Sequence, residues 1–146
     1  IIESLADYMV EVYDESLMLD FKKIPAAEKR IEAMLDARFY EYSRQVIDDK
    51  VWFDVYNLSL RNKRIKDFFI DLYERDKAAV EEEIGELIDE REGGKSLTSE
   101  LSTAMIVMME GISYYNSIMG ETHDISGTVK LMEDMFMSYF RKLKGI

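Results

Sequence analysis

Few residues in this chain have the type and spacing to do chemistry, and most familiar arrangements are excluded at once. There is no cysteine and a single histidine, His123, which removes disulfides, thiolate metal sites and Cys–His nucleophiles. Helical di-metal centres use paired Glu-x-x-His motifs, and Gly120, not a glutamate, stands three residues before His123. His123 itself falls in a loop expected between Gly120 and Ser126, where a solvated ring is the simplest reading. No serine has a neighbouring base and no Gly-rich phosphate loop is present. The expectation is a protein without metal, cofactor or catalytic group, not an enzyme. What remains is three charges in unusual places. Counted at helical spacing, Arg38 falls inside one apolar stripe, and Asp76 and Glu83 fall inside another. Buried charge is costly unless paired, which leaves two readings. In one, Arg38 pairs with a carboxylate and fixes how two helices pack. In the other, a carboxylate stays unpaired at a pocket wall and meets a cationic or amine-bearing ligand.

The elements that must position these groups are helical. The chain has 146 residues, 47% apolar and 12% aromatic, enough to bury a core and offset the entropy of ordering. One proline, seven glycines and apolar positions that recur at period 3.6 leave little room for a sheet. The first segment places Ile2, Leu5, Ala6, Met9, Tyr13 and Leu17 on one face. Pro25 suits the first position of a second helix, with Ala27, Ile31, Met34, Leu35, Tyr42 and Val46 inward. Asp48 or Asp49 caps a short third helix bearing Trp52, Val55, Tyr56 and Leu60. A long fourth runs from Asn62 to Glu92, with Ile65, Phe68, Phe69, Leu72, Tyr73, Val80, Ile84 and Leu87 inward, and Gly93 and Gly94 end it. Ser96, Thr98 or Ser99 caps a fifth that stops at Gly120, and Ser126 caps the last. The fold class is all-α, an antiparallel bundle of about six helices forming one domain over 1–146. Acidic runs such as Glu81-Glu82-Glu83 read as solvated surface.

The fifth helix carries the most information. Its apolar positions sweep an arc too wide for one core, interrupted only by a narrow polar strip of Thr103, Glu110, Ser113 and Ser117. It must bury two faces against two bodies. The last helix adds Met132, Met135, Phe136, Tyr139, Phe140 and Leu143 along one side, with no further segment to cover them. A second copy of the chain is the economical partner, so the last two helices of each subunit would form a four-helix interface with two-fold symmetry. Ala104, Val107, Gly111, Tyr114 and Ile118 form the half assigned to that partner, together with Met132, Phe136, Tyr139 and Phe140. Met105 and Met109 face the other way. With Trp52, Tyr56, Phe69 and Tyr73 they are the candidate walls of a ligand pocket, and Asp76 and Arg38 are its candidate charges. Ten methionines suit an adaptable wall. The competing readings are a helix central to a monomeric bundle, or an adaptor whose exposed face binds another protein.

The net charge of −11 excludes this piece from gripping nucleic acid or anionic lipid. No run approaches a membrane span, and the acidic opening is unlike a signal peptide. The opening also reads as mid-helix, without a capping residue, so a fragment with an upstream part is expected.

The stretch VWFDVYNLSLRNKRIKDFFIDLYERDKAAVEEEIGELIDEREGG, followed by AMIVMMEGISYYNSIMG, resembles the C-terminal half of TetR-family transcriptional regulators. The likeness extends to the subgroup that includes the choline-responsive repressor. A Trp-bearing short helix leads through Arg61-Asn62 into a long helix, and Ala104 precedes the step Glu110-Gly111. The resemblance implies a cytoplasmic homodimer, a repressor in which each subunit encloses a pocket for a small-molecule effector, hydrophobic or aromatic in character. It also implies that DNA is contacted only through an N-terminal helix-turn-helix head, which these residues lack.

Overall fold

The computed structural model describes residues 2–17, 21–40, 47–88 and 94–144. Six α-helices occur among them: α1 (Ile2–Leu17), α2 (Ala27–Phe39), α3 (Asp49–Ser59), α4 (Lys63–Ile88), α5 (Gly94–Met119) and α6 (Ser126–Lys144), with a 3-10 turn at Phe21–Lys23. No strand appears among the described residues, and none of these helices is long and apolar enough to cross a membrane. The side chains of Ile2, Tyr13, Leu17 and Leu87, and residues Tyr42, Val46, Glu92 and Gly93, lie outside the described part.

Local chemistry sets the helix ends. The Asp48 carboxylate accepts from the backbone N–H of Lys50 at 2.8 Å and opens α3. Asn62 does the same for α4, accepting from the N–H groups of Arg64 and Ile65 at 3.0 and 3.3 Å. Pro25 is not the first helical residue. Helix α2 begins at Ala27, its N-cap is Ala26, and Pro25 stands one residue outside in the turn that follows Phe21–Lys23. Gly94 begins α5 instead of ending α4, and the expected caps Ser96, Thr98 and Ser99 lie inside the helix. Thr98 and Ser102 turn their hydroxyls back onto the carbonyls four residues earlier, each at 2.8 Å, which satisfies two buried polar groups without capping anything. Gly120 does end α5: its N–H donates to the Asn116 carbonyl at 2.7 Å, and a Cβ there would lie 2.6 Å from that oxygen. Helix α6 opens on Asp124, whose carboxylate accepts from the Ser126 N–H at 2.9 Å; Ser126 is the first helical residue and not the cap.

Two apolar clusters form, and α4 runs through both. The smaller gathers Met9 of α1, Trp52 and Val55 of α3, and Ile65, Phe69 and Leu72 from the first half of α4. The larger joins Ile31, Met34, Leu35 and Phe39 of α2 to Val80, Ile84 and Ile88 of α4, Met105 and Ile112 of α5, and Val129, Phe136, Met137 and Phe140 of α6. Along α4 the inward stripe steps by four residues through Leu72, Asp76, Val80, Ile84 and Ile88, so a carboxylate occupies the position where one cluster gives way to the other. Helix α6 packs mainly against α2, while α5 packs against α4.

Candidate functional site

The junction of the two clusters is where the unusual side chains meet. From α4, Phe69, Tyr73 and Asp76 project along one face at spacings of four and three residues. Ring contacts tie this face to α3. Phe69 is met edge-on by Trp52 at 5.4 Å and by Tyr56 at 5.5 Å, and on its own helix by Phe68 at 5.2 Å. Tyr73 lies tilted beside it at 6.1 Å. Pairs of this geometry contribute about 0.5–1.5 kcal/mol each beyond area burial. Phe69 is thus a packing hub and not an open wall.

Arg38, near the C-terminus of α2, reaches Asp76 and forms a charged hydrogen bond through Nη1 to Oδ1. Both side chains are almost wholly buried, at 7% and 3% exposed. The pairing is incomplete, because Arg38 Nε and Asp76 Oδ2 have no hydrogen-bond partner among the described residues. A buried acceptor without a donor costs about 1–3 kcal/mol. Glu83 does not join them. It lies two turns further along α4, with Oε2 3.8 Å from Nε of Arg30, and both side chains are mostly buried.

The third ionisable group is Glu110 of α5, which the sequence places in a polar strip. The structure turns it toward α3 and α4, where the Tyr73 hydroxyl and the Trp52 indole N–H donate to its carboxyl. Burial is the main influence on Glu110, and the nearby Asp76 charge adds to it; together they outweigh the two donors and push its pKa up to about 7. Burial also raises the Tyr73 hydroxyl, with Glu110 and Asp76 opposing its ionisation, so Tyr73 is a neutral donor. The cluster is therefore an arginine, two carboxylates of different character, and an indole and a phenol between them. Nothing in the helical wheel of α5 alone marks Glu110. The signal lies in Trp52 and Tyr73, which arrive from other helices.

The remaining candidates divide plainly. Met105 is fully buried in the larger cluster and Met109 is buried, while Tyr56 is 39% exposed at the margin. Among the expected interface residues, Val107, Tyr114 and Ile118 are 57–64% exposed and Gly111 is exposed with open space where a Cβ would be. Phe53 covers one edge of Tyr114, ring to ring at 5.3 Å. Ala104 and Met132 are partly buried against the larger core. Phe136 and Phe140 are not available to a partner. They lie inside the chain's own core, Phe136 edge-on to Phe39 at 6.0 Å, because α6 leans on α2. The outer side of α6 shows Leu131, Met135 and Tyr139 instead, between 42% and 62% exposed. A half-open groove of about 530 Å³ runs between α5 and α6, floored by Met108, Ile112, Val129 and Met132 and flanked by Val107 and Tyr115. His123 stands exposed at its end, sharing a hydrogen bond with Thr122 at 2.9 Å.

Among the described residues no group of three or more His, Asp or Glu is placed to hold a metal ion. The fold and site define an all-helical bundle with a polar-aromatic cluster at the seam of two cores. Comparison with protein families, with curated proteins and with solved structures returns no match.

Proposed function

We propose that the chain is the effector-binding and homodimerisation domain of a TetR-like regulator, probing a small molecule at the Arg38–Asp76–Glu110 cluster. The observation that carries this reading is the cluster itself. Polar groups buried between two apolar cores, and left partly unsatisfied, weaken a fold that hydrophobic residues would stabilise, and a ligand that met them would offset that cost. The site also bridges the helices that a signal must couple: α2, α3, α4 and α5 each contribute a side chain. DNA contact would be made by a head outside these residues, since a net charge of −11 opposes contact with phosphates by this part, and a repressor of cytoplasmic location is the regulator type that the resemblance favours.

The uncovered apolar side of α5 and α6 supports the dimer. Val107, Tyr114, Tyr115 and Ile118 on one helix and Leu131, Met135 and Tyr139 on the other are exposed, and apolar surface marks an interaction site where it is contiguous. The same face would suit an adaptor that binds a different protein. Light scattering and native mass spectrometry of freshly purified chain separate the two. A dimer carrying a bound small molecule supports the regulator. A ligand-free monomer that captures a foreign protein through α5 would replace it with the adaptor.

A further inference from the structure

The outer face of α6 carries a pattern that reads alike from either end. Asp124, Thr128, Leu131, Met135, Ser138 and Lys142 recur at steps of four and three residues, the spacing of a seam between paired helices. All six are exposed, and the last four line one shallow surface together with Tyr139. Asp124 is negative, since the Ser126 N–H donating to it holds its carboxyl below the usual range. Lys142 stands among the basic residues of the last turn. Laid antiparallel on a copy of itself, about a two-fold axis midway between Leu131 and Met135, this seam meets its complement throughout. Leu131 faces the partner's Met135, and Asp124 faces the partner's Lys142. Gly127 and Thr128 together face the partner's Ser138 and the partner's Tyr139. A Cβ added at Gly127 would meet no atom within 4 Å, which leaves room there for close approach. A parallel arrangement would set lysine against lysine and aspartate against aspartate, at an electrostatic cost.

Resting on the dimer half of the reading above and not on the effector, we propose that α6 pairs with α6 of a second copy, antiparallel and in this one register. The available area agrees. The seven large apolar side chains exposed on α5 and α6 come to about 700 Å², at about 100 Å² for each, near the roughly 800 Å² that each partner gives to a standard interface. Helix α6 supplies less than half of it, so α5 must take part. Thr128 belongs both to the seam and to the lining of the groove between α5 and α6. The register therefore brings the partner's Tyr139 to the mouth of that groove, toward Gly111 and Tyr115, and each groove is closed by a side chain from the other subunit.

The test is charge exchange between copies of the whole chain, read by sedimentation at low salt. Lys142→Glu sets acid against acid at both ends of the seam, and Asp124→Lys sets base against base. Each should raise the dimer dissociation constant about tenfold, two exposed pairs having turned from attraction to repulsion. Mixed in equal amounts, the two variants should recover the parent's dimer, because only the mixed pair sets acid against base at both ends. Asp124 also caps α6, so circular dichroism melts establish that each variant is folded. A second arm uses the absence of cysteine. Leu131→Cys mixed with Met135→Cys should form a disulfide between chains, and either variant alone should do so far more slowly, because equal positions stand about 6 Å apart along the axis. If Asp124→Lys does not fold, this crosslink decides. Folded charge variants that dimerise like the parent, a mixture that does not recover the dimer, or equal crosslinking at like positions would each overturn the register and leave the dimer standing. A parent chain that is monomeric would remove both.

Discussion

Replacing Asp76 by asparagine removes the charge that faces Arg38 and changes little else in volume, which makes it a sharp probe of the junction. The pair is buried to 7% and 3% side-chain exposure, and breaking such a pair costs about 3–5 kcal/mol because the survivor is stranded. Two atoms of the pair already lack partners, each at a cost of about 1–3 kcal/mol, so the lower end of that range applies and about 3 kcal/mol is expected. Domains are stable by roughly 5–15 kcal/mol, and at this size each kcal/mol moves the midpoint by roughly 2–4 °C. Asp76→Asn should therefore melt about 10 °C lower. Arg38→Met combined with Asp76→Leu should recover most of the loss, since apolar replacement of both partners is often neutral or stabilising. Urea denaturation followed by circular dichroism on the parent, Arg38→Met, Asp76→Leu and the double variant gives the coupling energy directly. A single Asp76→Asn variant within about 0.5 kcal/mol of the parent would refute the argument, because surface changes give values of that size.

Other outcomes follow from the same geometry. The folded pKa of Glu110 stands at about 7, above its ordinary 4.5; for an acid this means the folded state holds the proton more tightly. Stability from this group is full below the ordinary value and is lost as pH rises toward neutrality, by about 3 kcal/mol in total; Glu110→Gln should flatten that slope in melts recorded across pH. A Cβ added at Gly111 meets no atom within 4 Å inside the chain, so Gly111→Trp should keep the fold while shifting light scattering from dimer to monomer; a parent chain that is itself monomeric would defeat the interface. Phe140→Ala, by contrast, empties space in the larger core and should cost about 3–5 kcal/mol in chemical denaturation, with self-association judged on the folded fraction unaltered.

The sequence makes the helices, the core stripe and the split character of α5 readable, because each depends on spacing within one segment. Met105, Met109 and Ile112 do turn inward while Val107, Gly111 and Ile118 stay out, as the wide arc requires. Arg38 and Asp76 are visible as charges inside apolar stripes, and the structure pairs them. What spacing cannot show is which helix lies opposite. Glu110 looks like part of a polar strip until Trp52 and Tyr73 come up against it. Phe136 and Phe140 look available until α6 is seen to lean on α2. Ser96, Thr98 and Ser99 have capping chemistry, yet α5 starts at Gly94, and Thr98 spends its hydroxyl on the Gly94 carbonyl.

That α4 threads both clusters has a consequence for how the molecule opens. Among the described residues, the cluster around Met9, Trp52 and Phe69 is the smaller, and the one around Leu35, Ile84 and Phe136 the larger. Backbone amides in α1, α3 and the first turns of α4 should exchange their hydrogens for deuterium through a partial opening of low free energy, while those after Val80 wait for global unfolding. The border between fast and slow amides would fall at Asp76, so one continuous helix would belong to two cooperative units.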